Sequence, residues 1–540
     1  MTVDMRDMIV IDALELSKWD RDFVIMLQKG GVTAVHACVG LWENARETLT
    51  KVAEWHRFFK ENDDLILPVV ETSGTDMLEI RNPANTDELV VKVQQSNADD
   101  AQAAIEAAEK AFPEWSKTPS PVRGEYLFKI AALMEAEADE IARIIVQEEG
   151  KTYTDAFKEV NYAAGIVKFY AGEGRRMTGR IVESDMPGVQ IELHKEALGV
   201  VLVVTPWNFP LSIPAWKIAP AILSGNTVVL KASSETPLTA QKFIEIVERA
   251  GVPAGVVNQL VGPGRLVTDM INHPAVKAIT FTGSNRVGNL IYKEAAKDMK
   301  RVLLEMGGKN PLLVMEDADV DAAVQLAVAG GYGQTGQACT ATSRVLVHKD
   351  IRQEFTDKLV EASKKIKIGN GMDEGVTMGP QVSDGERQST LDLIEKAKAE
   401  GGEILTGGGI PVFEGSDKGF FVEPTVIGGV KTEMTIAQEE VFGPVISIIE
   451  IESIDEAIEV ANDVAFGLSA AICTRNLTYM NRALNEIQAG IVKVNMTTTG
   501  TFFQAPFGGY KQSSTGTYKE LGSEAVEFYC QNKTRYINSN

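Results

Sequence analysis

The sequence predicts an α/β protein with a doubly wound parallel sheet, and three features carry that prediction. Short, continuously apolar runs recur at Val200 to Val204, Asn226 to Leu230, Val256 to Val261, Ala278 to Thr282 and Val302 to Leu304. Such runs mark strands buried on both faces, and the helical segments between them supply the crossovers that parallel strands need. Glycine turns, Gly262-Pro263-Gly264 and Phe281-Thr282-Gly283-Ser284-Asn285-Arg286-Val287-Gly288, stand where a strand passes into a helix. Strand ends of such sheets are where nucleotides bind. With 540 residues, 44% hydrophobic and 24% charged, the chain can bury a large core, so dominant disorder is excluded.

The elements follow in order. Ile9 to Asp12 reads as a short strand, Asp20 to Gln28 as a helix ended by Gly30-Gly31, Val32 to Val39 as a second strand, and Trp42 to Asn62 as an amphipathic helix. That βα-type unit is too short for a complete parallel-sheet fold. Glu71-Thr72-Ser73-Gly74-Thr75 is a polar break and the best linker. Beyond it, Asn82-Pro83-Ala84-Asn85 makes a turn, Glu88 to Val93 a strand, and Ser96 or Asn97 caps an Ala-rich helix towards Trp115. Helices continue to about Gly172, and a hairpin joins Arg180–Ser184 to Val189–His194 through Asp185-Met186-Pro187-Gly188. The five apolar strands come next.

Charge and cysteine usage narrow the function. The formal net charge of −22 argues against nucleic acid as the main partner, because phosphate binding needs a cationic surface. Cys38, Cys339, Cys473 and Cys530 are scattered and form no CxxC pair, which fits a reducing cytoplasm. His36, His56, His194, His273 and His348 form no metal-ligand spacing, so no metal is expected. The longest apolar run, near Gly199 to Val204, is far short of the ~20 residues that span a bilayer. No membrane partner is expected.

Three residues stand out chemically. Thr335-Gly336-Gln337-Ala338-Cys339-Thr340 sets one cysteine among small and polar residues. A thiolate attacks carbonyls well, and a lowered pKa would raise its fraction at neutral pH. Leu304-Glu305-Met306-Gly307-Gly308 puts a carboxylate at a strand end, where desolvation suits it as a general base. Thr205-Pro206-Trp207-Asn208-Phe209-Pro210 carries an amide able to donate to an oxyanion. Taken singly, each also reads as plain structure: a small core residue, one acid of 75, an Asn in a turn.

Together these segments resemble the aldehyde dehydrogenase superfamily. Pro206-Trp207-Asn208-Phe209-Pro210, Phe281-Thr282-Gly283-Ser284, Leu304-Glu305-Met306-Gly307-Gly308-Lys309, Gly336-Gln337-Ala338-Cys339, Glu440-Val441-Phe442-Gly443-Pro444 and Pro506-Phe507-Gly508-Gly509 occur in the family's order. The resemblance covers about residues 76 to 540. It implies a Rossmann-like NAD(P)-binding domain (76–307, with a bridging hairpin near 180–195), a catalytic domain (308–510) and a C-terminal bridging segment (511–540). Such bridging implies a homodimer or homotetramer. Cys339 matches the nucleophile, Asn208 the oxyanion donor and Glu305 the base that activates water, whose presence favours a free acid over an acyl-CoA product.

For the cofactor, NADP or NAD, Lys231 matches the adenosine-ribose contact, Ser284 the diphosphate ligand, and Glu440 and Phe442 the nicotinamide end. Thr205, Pro206, Trp207, Ser233, Gly264, Phe281, Gly283, Val287, Glu305 and Gly307 complete the implied surface. Where strongly NAD-preferring members carry a glutamate, this chain has Ser234, followed by Glu235. That departure implies that NADP is accepted, unless Glu235 swings in.

The branch most resembled oxidises 2-oxoglutarate semialdehyde, with sulfolactaldehyde and succinate semialdehyde as alternatives. A cofactor-independent thiol esterase is the remote rival. Thr497, Thr498 and Thr499 are candidates to line the substrate mouth, while Arg344, a weak anchor candidate, reads as structural. Residues 1–75 depart from the family and resemble a truncated membrane-dipeptidase-type start at Asp12-Ala13-Leu14-Glu15-Leu16-Ser17-Lys18-Trp19 and Gly30 to His36.

Overall fold

The run Val200–Val204 reads VVLVV, and all five of its residues are buried. Branched aliphatics favour the extended backbone, and each one fully buried stabilises by about 1.5–3 kcal/mol. The computed structural model describes residues 76–539. The readings for residues 1–75, with Cys38, His36, His56 and the dipeptidase-like segment, lie outside the described residues.

Val200–Val204 is the middle of a five-stranded sheet in the order Val257–Leu260, Thr227–Lys231, Val200–Val204, Val276–Thr282, Arg301–Glu305. Every pairing is parallel. The carboxyl ends therefore lie along one edge, and from that edge leave Thr205–Pro210, Ser233–Glu235, Ser284 and Gly307. Helices cover both faces, as the doubly wound reading requires.

A second sheet has seven strands, in the order Glu403–Thr406, Thr425–Gly428, Val445–Ile451, Thr342–His348, Asn310–Val314, Ser469–Cys473, Ile491–Val494. Only Glu403–Thr406 runs antiparallel to its neighbour. The hairpin Arg180–Val182/Val189–Ala197 gains the C-terminal strand Cys530–Asn538, antiparallel, as a third member.

Local signals were read correctly at most boundaries. Asn97 caps the helix Ala98–Lys117 through a full capping box with Asp100. The strands of the seven-stranded sheet were not read individually from the sequence, and neither was Met77–Asn82, which pairs antiparallel with Asn85–Gln94. Its MLEIRN sequence alternates too weakly to signal a strand without its partner. No described helix is long and apolar enough to cross a membrane.

Candidate active site

The nucleophile candidate stands beyond a strained turn. Gln334, Thr335 and Gly336 all take positive φ, at 52°, 59° and 69°. Non-glycine residues held there cost of order 1–3 kcal/mol each, so surrounding bonds must hold the turn. Thr335 Oγ1 donates to Gly379 O at 3.1 Å, Gln337 Nε2 to Pro380 O at 3.3 Å, and Val382 N–H to Gln337 Oε1 at 3.0 Å. Asn310 Nδ2 then fixes the Cys339 carbonyl at 2.8 Å. At Gly336 a side chain would collide with the Gly443 carbonyl, so this turn needs glycine.

Cys339 is partly exposed, and its surroundings do not lower its pKa. Burial first, then the carboxylates of Glu440, Glu305 and Glu520, push the thiol well above its ordinary value. The sequence reading looked to a lowered pKa, and that is corrected here. The acids responsible come from other strands and loops, which the local small-residue context does not reveal.

Asn208 lies in the loop after Val200–Val204, with its amide Nδ2 donating to Gln337 O at 2.9 Å. The candidate oxyanion donor thus sits two residues from Cys339 in the facing loop. Glu305, at the end of Arg301–Glu305, is buried. Ser514 Oγ donates to its Oε1 at 3.0 Å and Gly509 N–H to its Oε2 at 3.3 Å. Burial, then the neighbouring Glu520 charge, raise its pKa well above the carboxylate range. This is the direction a general base working near neutrality needs.

Most cofactor candidates follow the carboxyl ends of the five-stranded sheet, and Glu440 meets them at Gly307 and Gly308. Glu440 Oε1 accepts from Gly308 N–H at 2.9 Å, and burial pushes its pKa up to about 7. Gly307 lies so close to the Glu440 carboxylate that a Cβ would collide with it. The rings of Trp207 and Phe442 meet edge to face, with centroids 5.4 Å apart. Ser284 caps the helix Asn285–Ala296, accepting from Val287 N–H. Phe281 packs under Gly283, and the space above Gly264 is open. Thr205 and Pro206 begin the Asn208 loop at the sheet's edge.

Lys231 is buried at the end of Thr227–Lys231 and forms no ion pair among the described residues; burial lowers its pKa. Beyond it, Glu235 N–H donates to Ser233 Oγ at 3.2 Å and Ser234 Oγ to Gly262 O at 3.3 Å. The Glu235 side chain is left exposed.

The sequence profile of the aldehyde dehydrogenase family matches residues 69–535. The chain belongs to the aldehyde dehydrogenase family. It is 44% identical over 470 residues to the 2,5-dioxopentanoate dehydrogenase of Saccharolobus solfataricus, covering 86% of this chain and 97% of the relative. It is likewise 44% identical to the α-ketoglutaric semialdehyde dehydrogenase of Bacillus subtilis, over 87% of this chain and 96% of the relative. Its fold matches the crystal structure of betaine aldehyde dehydrogenase from Staphylococcus aureus in complex with NAD+. That match has a TM-score of 0.85 and 38% identity, covering 87% of this chain and 93% of that one.

Thr498 is wholly buried, bonded through Oγ1 to Thr342 Oγ1 and to Thr340 O, both at 2.8 Å. It braces the loop after Cys339 and does not line a mouth. Thr497 and Thr499 pair with each other at 3.1 Å. Arg344 is buried on the carbonyls of Lys309, Val460 and Ala461, a structural role as expected.

Sequence reasoning missed the dehydrogenase's buried Lys217–Glu520 pair. Lys217 Nζ also donates to Thr280 Oγ1 at 2.9 Å, and Glu520 acts electrostatically on Glu305. The signal available was a lone lysine in the otherwise apolar helix Ser212–Leu223, every residue of which is buried.

Proposed function

We propose that this aldehyde dehydrogenase oxidises 2-oxoglutarate semialdehyde (2,5-dioxopentanoate) to 2-oxoglutarate, with NADP or NAD as acceptor. The observation that carries the substrate is the 44% identity to a 2,5-dioxopentanoate dehydrogenase along 97% of that relative's length. The residues present fit a pyridine dinucleotide. A capped helix start at Ser284, open space at Gly264 and an ammonium at Lys231 with no ion pair among the described residues suit a diphosphate and ribose. Ser234, a neutral hydroxyl, tolerates a ribose 2′-phosphate that a carboxylate would repel.

The Cys339 thiol loses its proton to solvent water as Sγ adds to the aldehyde carbon, and the developing oxyanion accepts from Asn208 Nδ2 and the Cys339 N–H. When bound, the nicotinamide accepts the hydride that leaves this carbon. The thioester left on Cys339 is hydrolysed by water that Glu305 deprotonates, releasing the acid and the thiol. The bridging sheet exposes Ile181 and Tyr536, 75% and 71% accessible, which supports a homodimer or homotetramer built through that element.

The test is steady-state reduction of NAD and NADP with 2-oxoglutarate semialdehyde, succinate semialdehyde, sulfolactaldehyde and an uncharged aldehyde. A kcat/KM advantage of about tenfold, or ~1.4 kcal/mol, is expected for the first. Equal turnover of the uncharged aldehyde would overturn the substrate reading. Turnover of esters alone, without nucleotide, would favour the thiol esterase.

A further inference from the structure

We propose that Lys151 and Glu159 form a buried clamp whose task is to position the Asn208 amide, making them positioning residues for the oxyanion site. The inference rests on the reading of Asn208 given above. Both side chains are fully buried, with Lys151 Nζ 2.8 Å from Glu159 Oε2. Lys151 also donates to the Asn208 carbonyl at 2.7 Å and lies 4.6 Å from the centre of the Phe209 ring. The other carboxylate oxygen, Glu159 Oε1, accepts from the N–H groups of Leu211 and Ser212, at 3.0 and 3.1 Å.

One ion pair therefore grips the loop carrying Asn208 at two points. At Asn208 itself the lysine holds the carbonyl. At the loop's finish the glutamate satisfies two N–H groups at the head of the helix Ser212–Leu223, which has no side-chain cap from its own N-cap residue. With the Asn208 carbonyl and the backbone after it held, the Asn208 amide is set to donate to Gln337 O.

The clamp shares its foundation with the nucleophile. The carbonyls of Gly150 and Lys151 lie so close to Gly379 and Gly371 that a Cβ on either would collide, and Tyr153 N–H donates to Gly371 O at 2.9 Å. The same stretch, Gly379 to Val382, holds the turn before Cys339 through Thr335 and Gln337. The oxyanion donor and the thiol are thus measured from one strip of backbone. A buried ion pair is a weak source of stability, because desolvation offsets its attraction. What this pair supplies is a fixed loop. Glu149 completes the cluster, its Oε1 3.9 Å from Lys151 Nζ and its Oε2 accepting the Lys151 N–H at 2.9 Å.

The experiment is a double-mutant cycle on the full chain with Lys151→Met, Asn208→Ala and their combination, read as kcat and cofactor dissociation constant. Lys151→Met is expected to lower kcat about 10- to 100-fold, the scale of an ångström-level misplacement. Cofactor affinity should stay within about twofold. In the Asn208→Ala background the same change should cost no more than about twofold, because the donor it positions is gone. Equal losses in both backgrounds, or full activity in Lys151→Met, would overturn the clamp while leaving Asn208 as donor. A small effect of Asn208→Ala itself would instead overturn the reading of Asn208. If Lys151→Met does not accumulate as folded enzyme, Glu159→Gln takes its place in the cycle. It keeps the side-chain shape and one acceptor, and the same masking by Asn208→Ala is expected.

Discussion

Glu305→Gln separates the two halves of the proposed reaction. The carboxylate is buried and held by Ser514 Oγ at 3.0 Å and Gly509 N–H at 3.3 Å. An amide keeps both contacts, with its oxygen accepting from Gly509 N–H and its nitrogen donating to Ser514 Oγ. Removing a carboxylate that burial already disfavours costs the fold little. What disappears is the base. Loss of general-base catalysis is worth about 10²- to 10⁴-fold, or ~3–5 kcal/mol of barrier. It should fall on thioester hydrolysis alone. Stopped-flow absorbance of reduced nicotinamide should therefore show a burst stoichiometric with subunits, followed by a steady rate lowered by that factor. Glu305 acts deprotonated and its pKa is raised, so wild-type kcat should fall as pH drops through that raised value, well before the ordinary carboxylate range. The variant should lack this acid limb. A steady rate close to wild type would refute the base assignment. A slow rate with no burst would show that Glu305 acts before hydride transfer, at the thiol.

The remaining predictions concern single contacts. Asn208→Ala should lower kcat about 10²- to 10³-fold, as loss of an oxyanion donor does, with little change in cofactor affinity measured by fluorescence titration. Ser234→Glu should shift the NADP-to-NAD ratio of kcat/KM towards NAD by about tenfold or more, since a carboxylate there repels the 2′-phosphate. An unchanged ratio would show that Ser234 is not at the ribose. Gly307→Ala should cost up to about 10²-fold in kcat, because the added methyl must displace the Glu440 carboxylate from Gly308 N–H. Retained activity would show that this carboxylate moves freely.

The sheet was legible because Val200–Val204 and its neighbours are continuous apolar runs, a signal that needs no partner to be read. Cys339, Glu305 and Asn208 were legible as candidates because glycine and proline turns at strand ends mark where side chains meet ligands. Their electrostatics were not. The thiol's pKa is raised first by burial and then by Glu440, Glu305 and Glu520, all of which act on it only through the tertiary fold. Lys217 meets Glu520 across 303 positions of sequence, so no local pattern could pair them. Thr498 misled because hydroxyls look alike whether they face solvent or, as there, serve a buried neighbour.

The central claim is that oxidation runs through an acyl group on Cys339. The direct measurement is intact-mass and peptide-mass analysis of Glu305→Gln, quenched during turnover of 2-oxoglutarate semialdehyde with NADP. The account predicts an added acyl group on the peptide containing Cys339, formed only when nucleotide is present. An adduct on Cys473 or Cys530, or turnover with no adduct at any cysteine, would contradict it.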